Sequence, residues 1–169
     1  MIIRTETGAD RSASLEVERA AFGTPEEPDI VEAVRDLPGS FALVADLAGE
    51  VVGHVQMSTA WVGRDEVLAL GPIAVLPSHQ RTGIGTALVE AALEEAGRRD
   101  ACAVILLGSP TYYGARGFVA GSTYGLANPF AGTLPDGFVI EEDDFQIASL
   151  DEARARSLTG VVRWHPVFG

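Results

Sequence analysis

Cysteine is nearly missing: Cys102 is the single one in 169 residues. Without a partner it forms no internal disulfide and builds no cysteine-rich zinc site. A secreted disulfide scaffold is therefore excluded, a reducing cytoplasmic home is expected, and no metal is expected. Basic side chains are scarce too. Twelve Lys and Arg face 24 Asp and Glu, a formal net charge of −12. That argues against nucleic acid or anionic lipid as a partner of the whole surface. The acidity suits cationic partners, and it equally serves solubility alone. No run approaches the roughly 18 consecutive apolar residues of a membrane span. The opening Met1-Ile2-Ile3-Arg4-Thr5-Glu6 is polar by its fourth residue and has no signal-peptide core. No internal repeat or low-complexity tract is visible.

What is present reads as one globular domain over residues 1–169: 47% of the residues are hydrophobic and 21% charged. Ile2-Ile3-Arg4 forms a short strand. Asp10 is positioned to cap a helix to about Phe22, and Gly23 to Pro28 reads as a loop. A second helix is expected over Ile30 to Leu37, ended by Pro38-Gly39. Strands follow at Phe41–Ala45, Val51–Trp61 and Glu66–Leu76, the last almost wholly apolar. After Gly83, the residues Ile84, Ala87, Leu88, Ala91 and Ala92 keep the helical rhythm, and Gly97 begins the helix end. Ala103–Leu107 is a short buried strand. Strand, helix and strand within about 40 residues make a βαβ unit whose two strands are parallel. Pro110–Ala115 reads as a brief helix, and Phe118-Val119 starts another strand. Farther on, Phe138–Ile140, Phe145–Ile147 and Val161–Trp164 are strand pieces, with Leu150–Leu158 helical. The fold class is α/β with a mixed sheet.

Chemistry concentrates in Gln80-Arg81-Thr82-Gly83-Ile84-Gly85-Thr86, between a buried strand and an amphipathic helix. Glycines let backbone N–H groups approach a ligand closely. The first N–H groups of a helix lack internal acceptors, and the macrodipole adds partial positive charge. This spacing therefore suits an anion, most naturally phosphate; the alternative is that the glycines only tighten a turn. No Gly-Lys-Ser/Thr follows, so this is not a Walker loop. The third glycine of a dinucleotide fingerprint would fall at Leu88, so it is not that either.

The spacing Gln-x-x-Gly-x-Gly, preceded by Gly71-Pro72-Ile73-Ala74-Val75-Leu76-Pro77, resembles the pyrophosphate loop of the GCN5-related N-acetyltransferase (GNAT) superfamily. Tyr112-Tyr113-Gly114-Ala115-Arg116-Gly117-Phe118 resembles a second segment of that superfamily, Tyr-x-x-x-Gly-Phe. The order of elements matches over about residues 1–122. Val52-Gly53-His54-Val55 and Gly108-Ser109-Pro110 further resemble a group of small bacterial acetyltransferases, which carries an acidic residue where Ser109 stands.

The resemblance implies a central mixed sheet with a splayed parallel strand pair, flanked by helices, that binds acetyl-CoA as co-substrate. Pantetheine would pair with Ile73, Ala74 and Val75. Pyrophosphate would sit on the N–H groups of about Arg81 to Thr86, within the set Gln80, Arg81, Thr82, Gly83, Ile84, Gly85 and Thr86. The Arg81 side chain either joins it or points to solvent. Tyr113 matches the family's general acid, with packing against the cofactor arm as the alternative. A backbone N–H near Val75 would stabilise the oxyanion. The implied activity is acetyl transfer to a primary amine of a small molecule or peptide, by direct attack in a ternary complex. A noncatalytic acyl-CoA sensor is the second reading. No carboxylate lies within Ala69–Ile73 to act as base, and Glu66 is too far upstream. The resemblance makes a water chain one carrier of the proton and His54, on the hairpin strand, a candidate, with a packed or hydrogen-bonded neutral histidine as the alternative; His79 is expected to face solvent and Cys102 to be core. Glu26, Glu27 and Asp29 either draw an ammonium inward or line a solvated loop. Dimerisation is common in the family and carries no readable signature here.

Overall fold

The computed structural model describes residues 1–168. In chain order the elements are β1 (Ile2–Thr5), α1 (Arg11–Phe22), α2 (Glu26–Val34), β2 (Phe41–Leu47), β3 (Glu50–Val62), β4 (Asp65–Val75), α3 (Ile84–Arg98), β5 (Ala103–Leu107), α4 (Pro110–Gly114), β6 (Val119–Ala120), β7 (Gly132–Thr133), β8 (Val139–Ile140), β9 (Phe145–Ser149), α5 (Glu152–Ser157) and β10 (Val162–Arg163). The main sheet is mixed: β5 runs parallel to β4, as the βαβ reading requires, and antiparallel to β9. A separate two-stranded sheet joins β7 to β8.

The chain divides into two compact units. The first holds Met1–Thr59, Leu70–Glu95 and the C-terminal residues from His165; the second holds Ala60–Ala69 and Ala96–Trp164. In the first unit β1, β2 and β3 pair antiparallel, with a bulge at Ala45/Asp46. Alternate residues of a strand face opposite sides, and β3 uses both. Gly53 faces α3: a side chain there would begin 3.0 Å from Ile84 Cγ2 and 3.0 Å from Leu88 Cδ1. His54 faces α1, where its Nδ1 lies 2.6 Å from Glu18 Oε1.

In the second unit β4 and β5 are parallel, with Leu68 opposite Val104 and Ala69 opposite Ile105. β4 continues to Val75. β9 pairs antiparallel with β5 and with β6. The core here gathers Val62, Ile105, Leu126, Phe145 and Ile147, with Trp164 packed against it. Cys102 belongs to this core, as its position before a buried strand predicts.

Two local expectations change. α2 begins at Glu26, so Glu26 to Pro28 are helical rather than loop. Pro25 stands at its N-cap and Pro28 in its first turn, where the missing N–H has no helical acceptor to lose. Asp10 precedes α1 but makes no side-chain cap. Its carboxylate instead accepts from Arg4 Nη1 at 2.7 Å, Arg4 Nη2 at 2.9 Å and Thr7 N at 2.8 Å. That clamp ties β1 to the start of α1.

The hydrogen bonds from Arg4 first, then from Thr7, hold the Asp10 carboxyl well below the usual carboxylate range. A depressed folded pKa contributes stability that is present above the unfolded value, about 3.9, and lost as pH falls toward the folded one. The urea midpoint is therefore expected to drop from about pH 5 to pH 3. Asp10→Asn should lower the midpoint at neutral pH and flatten that drop; an unchanged slope in the variant would remove Asp10 from the acid response.

Candidate functional site

Three groups of residues bear on chemistry. The first follows β4. Ile73, Ala74 and Val75 close the strand, Ala74 buried and its neighbours half-buried. Leu76 N donates to Val52 O at 2.9 Å, and a 3-10 turn over Pro77–His79 leads onward. The chain then reverses through Arg81, with φ 58°, and Gly83, with φ 92°. Left-handed backbone costs an L-residue roughly 1–2 kcal/mol, so Arg81 is held there by its surroundings. Gln80 Nε2 donates to Val75 O at 3.0 Å, and Thr82 Oγ1 donates to His79 O at 2.5 Å. These side chains bind the loop to itself.

Among the described residues, no backbone carbonyl accepts from the N–H of Arg81, Thr82, Gly83, Ile84 or Gly85. Arg81, Thr82 and Gly83 are exposed. The loop thus presents a run of unpaired donors at the positive end of a 15-residue helix. Ile73–Val75 and Gln80–Thr86 all belong to the first unit, and the structure brings them together around one strand-to-helix turn.

The second group is in the other unit. Ser109 caps α4, its Oγ accepting from Tyr112 N at 3.4 Å. Ser109 thereby has a structural role that needs no carboxylate. Tyr113 sits edge-on to Tyr112, ring centroids 4.8 Å apart, and edge-on to Phe118 at 5.6 Å. Burial pushes its phenol up to about 12. The ring fits only because Gly108 lacks a side chain: a Cβ there would lie 2.4 Å from the Tyr113 ring. Tyr112, more exposed, is covered by the Arg116 guanidinium 3.5 Å from its centroid.

The third group, unforeseen as a whole, lies between α1 and β3. Glu18 and His54 are fully buried and bonded to each other. Glu6 Oε1 stands 3.8 Å from His54 Nε2 and accepts from Arg35 Nη2 at 3.1 Å. Burial, the dominant cause, raises the pKa of Glu18 against the pull of His54. A sequence signal existed. Glu18 falls three residues after Leu15, on the same inward stripe of α1. Glu26, Glu27 and Asp29 stand in the first turn of α2, where carboxylates also favour the helix dipole. His79 is half-buried, its Nδ1 2.9 Å from Ser78 Oγ. Glu66 is exposed.

The model of the acetyltransferase (GNAT) family matches residues 12–119. The chain belongs to the acetyltransferase (GNAT) family. That GNAT match runs through both the loop at the head of α3 and the Tyr113 segment. Over 173 aligned residues the chain is 28% identical to the "uncharacterized N-acetyltransferase" YhbS of Escherichia coli, covering 99% of this chain and 98% of that protein. A crystal structure of YhbS in complex with CoA superposes with a TM-score of 0.87 at 26% identity, over 99% of this chain and 91% of that one. A GNAT acetyltransferase from Brucella melitensis, in complex with acetyl-CoA, gives 0.74 at 27% identity over 99% and 97%. The "uncharacterized N-acetyltransferase" YjhQ of E. coli K12 is 33% identical over 117 residues, 65% of each protein, so the match spans just under two thirds of YjhQ. Among the described residues, no cluster of three or more His, Cys, Asp or Glu is placed to hold a metal ion, and no helix is long and apolar enough to cross a membrane.

The close packing of Gly108 and Tyr113 is open to a double-mutant cycle. Gly108→Ala should cost about 1–3 kcal/mol in chemical denaturation by overpacking. The same change in a Tyr113→Ala background should cost much less, because the clashing ring is gone. Equal costs in both backgrounds would mean that Gly108 does not set the position of the ring.

Proposed function

We propose that this GNAT protein transfers the acetyl group of acetyl-CoA to a primary amine of a small molecule or peptide, both units serving as one N-acetyltransferase domain. The carrying observation is the run of unpaired N–H groups from Arg81 to Gly85, directly after β4 and at the head of α3. Such donors suit a diphosphate, and they act within a few ångströms, whereas the acidic surface is screened beyond about 8–10 Å. In this reading Ile73, Ala74 and Val75 pair with the pantetheine amides. Gln80 and Thr82 shape the loop with their side chains, and residues 81–85 offer backbone donors. The two relatives described above, one bound to CoA and one to acetyl-CoA, support the choice of ligand.

The chemistry assigned to the chain is modest. Val75 N–H donates to the thioester oxygen as charge develops there. Tyr113 donates its phenolic proton toward the departing sulfur. With its pKa pushed up to about 12, the phenol stays loaded at any working pH. Full transfer to a thiolate whose acid lies near 8.5 is then uphill. Tyr113 therefore acts by hydrogen bonding and partial transfer as the carbon–sulfur bond breaks, and the proton lost by the amine nitrogen restores it. Attack is direct, because the single cysteine is buried in the core and burial raises its thiol further. Glu26, Glu27 and Asp29 favour an acceptor that arrives as a cation. A reducing cytoplasm suits the lone thiol.

Isothermal calorimetry with CoA, followed by a thiol-release screen of small amines and peptide N-termini, tests this. Gly85→Trp should abolish CoA binding while leaving the thermal unfolding transition cooperative; unchanged affinity would move the diphosphate elsewhere. Tyr113→Phe should lower kcat by roughly 10²–10⁴, and a wild-type rate would leave Tyr113 a packing role. Tight CoA binding with no amine ever turned over would favour a noncatalytic sensor.

A further inference from the structure

The buried polar cluster of the first unit is costly unless it is used. Glu18, His54, Gln56 and Ser58 are each at most 1% exposed. Yet Glu18 Oε2, His54 Nε2, Gln56 Oε1 and Ser58 Oγ have no hydrogen-bond partner among the described residues. Buried polar atoms without partners cost about 1–3 kcal/mol each, and such a row of them is what lines a path for water. His54, Gln56 and Ser58 are alternate residues of β3 and share its α1-facing side. Alternate side chains stand roughly 6–7 Å apart, a gap that one water bonded to both nearly spans. Gln56 is aimed for this. Its Nε2 donates to Phe41 O at 3.2 Å and Met57 O at 2.9 Å, which turns Oε1 the other way.

His54 itself is built as a base. A 2.6 Å contact between Nδ1 and Glu18 Oε1 contains a hydrogen, so that side of the ring is occupied. With that hydrogen on Nδ1 and Glu18 ionised, the lone pair is on Nε2, the arrangement by which a carboxylate orients a histidine base. A proton arriving on Nε2 would make an imidazolium between two carboxylates, Glu18 on one side and Glu6 on the other. Glu6 is fixed in turn by Arg35. The charged groups facing the pair are thus Glu6 beyond β1, Glu18 on α1, Glu27 on α2, and Arg35 after α2.

We propose that His54 Nε2, oriented by Glu18 and steadied by Glu6, receives the proton an acceptor ammonium must lose before it can attack, passed along water bound to Gln56 Oε1 and Ser58 Oγ. The inference rests on the amine-acetyltransferase reading and supplies its missing base. The balance is simple. R–NH3⁺ loses one proton, which forms the Nε2–H bond of His54, and R–NH2 retains the electron pair that attacks. His54 later returns the proton to solvent, so each turnover releases one proton. His54 acts through water and is a positioning and proton-holding residue rather than one that touches the amine.

Two small probes of similar size separate this from a structural role. Methylamine is an ammonium at neutral pH and needs the base; hydroxylamine is uncharged there and does not. His54→Asn keeps a donor where Nδ1 stood, toward Glu18, and removes the Nε2 base. With enzyme-free rates subtracted, the variant should acetylate methylamine at least about 10²-fold more slowly than the wild type at neutral pH. Hydroxylamine acetylation should stay within a few-fold, and the methylamine deficit should shrink as pH rises. Equal slowing of both probes would overturn the relay. A wild type that acetylates neither would overturn the amine reading and the relay with it. Glu18→Gln should show the same probe selectivity more weakly, since it keeps an acceptor for Nδ1–H but removes the charge. Nitrogen-15 NMR of the full chain, with His54 assigned among its three histidines by the Asn variant, reads the tautomer without any substrate. A neutral ring protonated on Nδ1 is expected; a ring protonated on Nε2, or doubly protonated throughout, has no lone pair to offer and would refute the proposal even if the enzyme is active.

Discussion

The approach of α3 to β3 at Gly53 fixes the position of every donor at the head of that helix. A Cβ at Gly53 would start 3.0 Å from Ile84 Cγ2, 3.0 Å from Leu88 Cδ1 and 3.2 Å from Ala45 Cβ. Ile84 and Leu88 are one helical turn apart, so the glycine seats the first turn of α3 and leaves little freedom in its depth. The loop from Pro77 to Gly83 must then reach from the end of β4 to a helix start already fixed. It does so through left-handed Arg81 and Gly83, with Gln80 tied back to Val75. The unpaired N–H groups are a by-product of that short path. One residue along β3, the chain's alternation turns His54 to the opposite side, against Glu18. A single strand therefore supports the unpaired N–H groups of a helix start on one side and the buried Glu18–His54 pair on the other.

The two sides answer different electrostatic problems. Acidic side chains outnumber basic ones two to one, which is unfavourable for a diphosphate at long range. Several arginines are already engaged by carboxylates of the same chain: Arg4 with Asp10 and Asp46, Arg11 with Asp36, Arg35 with Glu6, Arg154 with Asp100. Backbone donors avoid competing for those cations, because an amide dipole binds an anion without carrying a charge that neighbouring carboxylates could claim. Around His54 the same excess of acid is turned inward: Glu18 and Glu6 flank its two ring nitrogens inside the protein, where solvent screens least.

Much of this was legible in the residues, and the failures have physical reasons. β5 runs from Ala103 to Leu107 as its apolar run predicts, and α3 opens at Ile84, after the second left-handed residue. Family membership follows from the glycine spacing and the Tyr113 segment, both inside the matched region. The start of α2 was hidden because prolines read as loop, although a first helical turn has no N–H bond for proline to break. Asp10 had the look of a helix cap, but Arg4 and Thr7 claim its oxygens. The Glu18–His54–Glu6–Arg35 network joins α1 and β3 to the residues just after β1 and α2, up to 48 positions apart as His54 and Glu6 are. No local pattern reports such a pairing. Only the inward place of Glu18 on its helix hinted at it.

The composition carries one more consequence for the proposed chemistry. All twelve basic side chains are arginine, and lysine is absent from the 169 residues. A protein that holds an activated acetyl group exposes its own lysines to slow acylation, since the ε-amine is a nucleophile whenever it loses its proton. Arginine is effectively never deprotonated, so it supplies charge for ion pairs without supplying such a nucleophile. With no ε-amine in the chain and its one thiol buried, the side chains offer the thioester few competitors to the acceptor. Directing the proton of that acceptor to a buried imidazole extends the same logic: the amine is activated only where the fold has arranged a place for what it must lose.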